Sequence, residues 1–300
     1  DIKITEGEIS EVILNGQETL PCEVVVLAIG HSARDTYEML YQRNVELEAK
    51  PFAIGVRIEH PQELIDKAQY GEYAGVANLA AADYSLVYND IETKRSAYSF
   101  CMCPGGMVVG ATSEENQVVT NGMSNYQRNS GIANSAIIVT VNTDDFGGNV
   151  LDGISFQRKY EKLAFEVGGE NYNAPMQTVG DFLNNNVGST DFLVKPTYLP
   201  GVKSADLRDC LPKFVTTTIA KALPFFGQKI KGFDAPNVVM TGVETRTSAP
   251  VRIVRNKELV SLNTKGLYPT GEGAGYAGGI MSAAIDGMNV AIKIINKYKM

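Results

Sequence analysis

Gly266-Leu-Tyr-Pro-Thr-Gly-Glu-Gly-Ala-Gly-Tyr-Ala-Gly-Gly-Ile-Met-Ser-Ala-Ala284 decides how this 300-residue chain reads. Leu267 and Tyr268 make a short apolar strand, a glycine-rich loop follows, and an Ala- and Ile-rich helix is expected over 278–297. Only backbone can line such a loop. A helix start presents unbonded N–H groups and a partial positive charge, and glycines let a phosphate or an electron-rich ring edge approach them. Gly271, Gly273, Gly275, Gly278 and Gly279 are more glycine than close helix–strand packing needs, each costing about 0.5–1 kcal/mol against a better former. The loop therefore reads as a site for a nucleotide-like ligand rather than as a packing device. Gly273-Ala-Gly-Tyr-Ala-Gly278 matches G-x-G-x-x-G, yet only residues 279–300 follow it. A dinucleotide fingerprint needs a further strand carrying an acidic residue for the ribose, so this is not the opening motif of a Rossmann unit.

Outward from that loop, residues 1–29 read as strands, with a hairpin turn at Asn15-Gly16. The apolar run 24–29 ends at Gly30 and suits a strand buried on both faces of a parallel sheet. Ser32-Ala-Arg-Asp35 fits a capping box before a helix carrying Tyr37, Leu40, Tyr41 and Val45. Pro51 opens a different region. It holds a strand over 52–59, a short helix over 61–68, and strand-like runs at 85–88, 97–102, 107–111 and 136–141. A helix with its stripe over 156–167 and a helical region at 206–226 follow, and strands return at 238–241 and 251–254. The fold class is α/β with an α+β insert. Residues 1–48 and 243–300 read as a discontinuous, doubly wound nucleotide domain, and 49–242 as an inserted mixed α+β domain. The chain starts at Asp1 inside a strand pattern, so the expectation is a fragment of a longer protein.

A net charge of −7 without a basic stripe argues against nucleic acid as a partner. No apolar run approaches the roughly 20 residues that cross a bilayer, and no signal peptide opens the chain. Four cysteines are too few for a disulfide scaffold in so long a chain, so a reducing cytoplasm is the expected location. No His or Cys spacing supports a metal.

Several blocks together resemble a family. The run Val25-Val-Leu-Ala-Ile-Gly30 after a β-meander resembles the Ala-Thr-Gly strand of glutathione-reductase-like flavoproteins, and Leu267-Tyr-Pro-Thr-Gly-Glu272 resembles their C-terminal FAD motif. Ala28-Ile-Gly-His-Ser-Ala-Arg-Asp-Thr36, Lys50-Pro-Phe-Ala-Ile-Gly-Val-Arg-Ile-Glu-His-Pro61, Cys101-Met-Cys-Pro-Gly-Gly106, Gly242-Val-Glu-Thr-Arg-Thr-Ser-Ala-Pro-Val-Arg-Ile253 and Gly271-Glu-Gly-Ala-Gly-Tyr-Ala-Gly-Gly279 are similar to bacterial FAD-dependent dehydrogenases, a largely uncharacterised family. Ile29 and Glu272 depart from the Thr and Asp of the wider superfamily.

The resemblance implies a two-domain flavoprotein passing hydride through FAD to or from a small-molecule substrate, with NAD(P)H as a possible reductant. It implies that the unit with the opening glycine fingerprint is missing here, which weakens FAD binding by this chain alone. Gly30, Gly271, Glu272, Gly273, Ala274, Gly275, Ala277, Gly278, Gly279 and Ile280 are the implied cofactor residues. Glu272 would accept a hydrogen bond from a ribityl hydroxyl or a nearby phosphate-side group, and the amides of 277–280 would face the pyrimidine edge of the ring. Arg246 and His60 are the catalytic candidates, each weighed against a plain reading: a surface ion pair of Glu244 with Arg246, and a residue leading into a helix for His60. Cys101 and Cys103 read as buried, unreactive thiols on one strand face, and Pro104-Gly-Gly106 as a turn able to approach a ligand. Two other functions stay open: a non-catalytic flavin-fold binding or regulatory protein, and a flavoprotein acting on tRNA.

Overall fold

The computed structural model describes residues 1–298, and the chain divides into two compact units. The first comprises Asp1–Phe52, Val141–Phe156 and the chain from Arg246 onward. The second comprises Ala53–Thr140 and Gln157–Thr245. Strands and helices mix in both, an α/β chain.

In the first unit, strands Ile2–Thr5, Glu8–Leu14 and Glu18–Pro21 form an antiparallel meander. Val25–Leu27 then pairs in parallel with Leu267–Pro269, Val25 opposite Leu267 and Leu27 opposite Pro269. Leu47–Ala49 pairs antiparallel with Val251–Ile253. Tyr37 and Leu40 of the helix Arg34–Gln42 pack with Val45, Leu47, Val251, Ile253 and Leu267 in one apolar cluster. Tyr268, Val260 and Val290 form a smaller one. The parallel pair juxtaposes the loops after 27 and 269, which builds the site described below.

Three expectations change here. The run 24–29 is not buried on both faces: Val26 is half exposed, because among the described residues Val25–Leu27 pairs with Leu267–Pro269 alone. The capping box does not form. Arg34 is already the first helical residue, so Ser32 lies one position too early, and its hydroxyl sits 3.1 Å from His31 Nδ1 instead. The final helix runs Ile280–Lys297 rather than from 278. Of its side chains Val290 is buried, whereas Ile280 and Met281 are 88% and 73% exposed and Ile285, Met288, Ile292 and Ile295 are exposed with them.

The second unit is built on a seven-stranded mixed sheet, in the order Val202–Ser204, Ala174–Thr178, Val239–Glu244, Phe52–Pro61, Ile132–Val141, Arg95–Cys103, Val87–Asp90. Phe52–Pro61 lies at its centre and is buried almost throughout, on both its apolar and its polar side. Ala53, Ile54, Val56 and Ile58 supply core, whereas Arg57, Glu59 and His60 are buried polar groups. Gly55 lets this strand close on its neighbour, for a Cβ there would lie 1.9 Å from Ile137 O. Helices Gln62–Tyr70, Val179–Asn184 and Lys213–Lys229 belong to this unit. Gly106–Gly110 and Thr120–Ser124 pair into a two-stranded sheet of their own, tied to the large one by Arg57 Nη2, which donates to Asn121 Oδ1 at 2.9 Å. The second strand of this pair, Thr-Asn-Gly-Met-Ser, has no alternation that sequence could reveal.

Candidate functional site

Two chain crossings meet at the C-terminal ends of the parallel pair. Thr270 N donates to Leu27 O at 3.0 Å, so Ala28–Gly30 and Thr270–Gly273 leave the sheet side by side. Gly30 and Gly271 have φ of +72° and +74°, a left-handed backbone that L side chains rarely adopt, and turn both segments off the strands. Between them and the final helix lies a cleft of about 350 Å³ lined by Ala28, Gly30, Thr270, Gly271, Glu272, Ile280, Ala283 and Gly287. Its wall is mostly backbone and methyl groups, and among the described residues Glu272 is its one charged side chain.

The glycines divide into two kinds. A Cβ on Gly273 would meet Gly30 O at 2.5 Å, and one on Gly275 would lie 3.0 Å from Val251 O, so these two exist for packing. At Gly278, Gly279 and Gly287 a Cβ would meet nothing within 4 Å. Among the described residues their smallness serves no contact. Ala274 and Ala277 are buried against the protein. Gly279 is the N-cap of the final helix and no side chain caps its first amides. Gly278 N donates instead to Ser282 Oγ at 3.3 Å. The amides at the helix start therefore belong to Ile280, Met281 and Ser282, further along than the 277–280 expected from the sequence.

Two residues that the sequence reading did not place at the site hold the cleft. Tyr37, fully buried, donates from its hydroxyl to Gly273 O at 2.8 Å, with Gly30 O at 3.3 Å. Asp286 on the final helix accepts from Gly271 N at 2.8 Å and Thr270 Oγ1 at 3.0 Å, and Arg255 grips the same carboxylate from the other side at 2.6 and 2.9 Å. Burial pushes the Asp286 carboxyl up, but hydrogen bonds from Arg255, Gly271 and Thr270 outweigh it and hold it below the usual range. The Arg255 guanidinium also lies 4.0 Å from the centre of the Tyr276 ring.

Around Glu272 the charges are arranged. His31 Nε2 stands 3.8 Å from Glu272 Oε2. Burial lowers the His31 pKa, Glu272 raises it, and the charges of Arg246 and Arg34 lower it further. The imidazole is thus kept neutral in a partly cationic neighbourhood. Arg246 is buried, 6% exposed, and is not the surface residue of the plain reading. Nor is Glu244: both its carboxylate oxygens accept from Arg57, at 2.7 and 2.8 Å, inside the second unit. The other catalytic candidate, His60, lies in the second unit with 0% exposure. Its Nε2 is 2.8 Å from Phe233 O and its ring stacks on Phe233, while burial lowers its pKa to about 4 against the pull of that carbonyl. A neutral imidazole without solvent contact is placed as a core histidine. Pro104-Gly-Gly106 also turns inward, since a Cβ on Gly105 would fall 1.7 Å from Arg128 O and one on Gly106 2.2 Å from Met123 O.

Residues 51–247 match the family described as FAD-dependent protein, C-terminal domain-like. An uncharacterized protein of Clostridium beijerinckii is 54% identical over 299 residues, which is 99% of this chain and 56% of that protein. The chain thus spans little more than half the length of the relative it matches.

Proposed function

The chain belongs to the family of FAD-dependent proteins, and on that premise we propose that it is the flavin- and substrate-holding part of an FAD-dependent oxidoreductase. The observation that carries the reading is the backbone-lined cleft at the ends of the parallel pair. Its residues fit a flavin nucleotide: Gly30 and Gly287, where a Cβ would meet nothing within 4 Å, line it, and the helix that begins at Ile280 brings a partial positive charge to it. Gly30, Gly271, Gly278 and Gly279 would lie against the group, and Glu272 would accept a hydrogen bond from one of its hydroxyls. When bound, FAD supplies hydride transfer, a chemistry that no side chain provides.

This chain's own residues position and polarise. The amides of Ile280–Ser282 would offer partial positive charge to a bound flavin, and Asp286 fixes the Gly271 loop beside them. His31, held neutral, donates or accepts at Nε2 without adding charge beside Glu272. Arg246 adds a positive charge for an anionic substrate group. The substrate is a small molecule, and NAD(P)H is the candidate reductant.

The test is the visible spectrum of the chain titrated with FAD, beside that of the longer protein purified from its full reading frame. A flavin band that bleaches with NADH, NADPH or a substrate supports the oxidoreductase. A bound flavin that no donor reduces would turn the reading to a binding or regulatory protein. Failure of both forms to bind FAD would sink it.

A further inference from the structure

The strand Arg95–Cys103 ends on two thiols that differ in access: Cys101 is exposed and Cys103 is 7% exposed. Two cysteines two apart on a regular strand share a face. Here the strand is irregular. Cys103 pairs with Asn134 and Phe100 with Ala136, so Cys101 and Met102 stand opposite the single residue Ser135. Cys101 adopts a φ of +45° at this bulge. A bulge re-aims one side chain while the ladder continues, and this one turns Cys101 outward over a buried Cys103.

The two remain in touch. The Cys103 thiol donates to Cys101 O at 3.3 Å. Arg57 Nη1 donates to Cys101 O at 2.8 Å and lies 4.0 Å from Cys103 Sγ. The following turn is rigid, with Gly105 N donating to Gln62 Oε1 at 2.8 Å and Ser124 Oγ donating to Pro104 O at 2.7 Å. One thiol thus faces solvent, the second is buried two residues on with its sulfur against the backbone carbonyl of the first, and a guanidinium stands beside the second.

We propose that Cys101 and Cys103 form a redox-active dithiol that exchanges with low-molecular-weight disulfides, Cys101 attacking and Cys103 resolving. Cys101 loses its proton to solvent and its sulfur attacks one sulfur of the incoming disulfide, RSSR. The S–S bond breaks, one RS⁻ leaves and takes a proton, and a mixed disulfide remains on Cys101. Cys103 then attacks Cys101 Sγ, its proton passing to the second departing RS⁻. The protein gains an internal disulfide, and RSSR is reduced to two RSH. The order follows from the environment: the hydrogen bond with Cys101, and burial after it, push the Cys103 thiol up, so it does not ionise first. Arg57 offsets the charge that gathers on Cys103 as it attacks. A disulfide closed across one residue is strained, and strained, accessible disulfides are the easily reduced ones, suited to turnover rather than to bracing a fold.

This inference stands apart from the flavin reading and is tested without a cofactor. The full chain is treated with less than one equivalent of dithiobis(nitrobenzoate). Wild type is expected to release two nitrothiophenolates per reagent consumed, keep no label, and lose two hydrogen masses mapped to the peptide holding 101 and 103. Dithiothreitol should restore the mass. Cys103→Ser, or Cys103→Ala should the buried hydroxyl unfold the chain, should release one and keep one label on Cys101. Cys101→Ser should lose the two-for-one release. A label that persists on wild-type Cys101, or a cross-link mapped between two chains or to Cys22, would overturn the proposal.

Discussion

The Tyr37 hydroxyl donates to the carbonyl of Gly273 at 2.8 Å across 236 residues of sequence. That bond joins the helix after the first crossing to the loop after the second, so the cleft is held from both ends of the chain. Burial keeps the phenol neutral by raising its pKa well above the usual tyrosine value. Tyr37→Phe keeps the ring and removes the donor, leaving a carbonyl of the cleft unsatisfied. We expect a loss of about 1–2 kcal/mol in urea unfolding, together with weaker FAD binding in the same preparation. An unchanged unfolding midpoint would mean that the loop finds another donor.

Gly278 and Gly273 make a matched pair of variants. Gly278→Val projects into open space and should leave the thermal midpoint within a degree or two while reducing flavin binding at least tenfold. Gly273→Val drives a side chain into Gly30 O and should damage the fold itself. Equal flavin content in Gly278→Val and wild type would assign the loop to packing alone.

In the second unit, Arg57 and Glu244 are 0% and 3% exposed and joined by two hydrogen bonds. Glu244→Ala strands a guanidinium in the core, at about 3–5 kcal/mol. Arg57→Met with Glu244→Leu removes both charges, and we expect it to be the less damaged of the two in guanidinium unfolding.

Glu59 and His60 are sequence neighbours with opposite pH behaviour. Burial raises the Glu59 pKa to about 7 against its hydrogen bonds from Thr197, and burial lowers that of His60 to about 4. Between an unfolded carboxyl value near 4.5 and about 7, the folded chain holds a proton on Glu59 that the unfolded chain has lost, so this group makes stability fall as pH rises. Between about 4 and 6.5 the unfolded chain holds a proton on His60 that the folded chain lacks, so that group makes stability rise with pH. From about pH 4.5 to 6.5 the two slopes, each at most about 1.4 kcal/mol per pH unit, oppose each other. Glu59→Gln should expose a rising curve over this range, measured by urea unfolding at stepped pH. A slope unchanged from wild type would show that the carboxyl titrates normally.

The strand–loop–helix plan of 266–297 was legible because apolar runs, glycines and helix composition are local signals. What escaped the sequence depends on distance. Asp286 looks like a solvated helix residue until the loop of Gly271 is folded back upon it. Glu244 stands two residues from Arg246 and invites a local pair, yet Arg57, 187 positions away, takes it. The bulge at Cys101 arises from register with Asn134 and Ala136, which no pattern within Cys-Met-Cys encodes. Tyr37 was readable as a helix-stripe residue, but its hydroxyl partner was not.

Met281, Ile285, Met288, Ile292 and Ile295 recur at alternating steps of four and three along the final helix, and all five are exposed. A chain carrying such a stripe beside a charged body is an amphiphile. It is expected to adsorb to hydrophobic resins and to air–water boundaries, where oil-like side chains leave water. Sulfate, by raising the cost of wetted apolar area, brings it out of solution early. Foaming and surface loss during handling are the expected consequences of this one face of one helix.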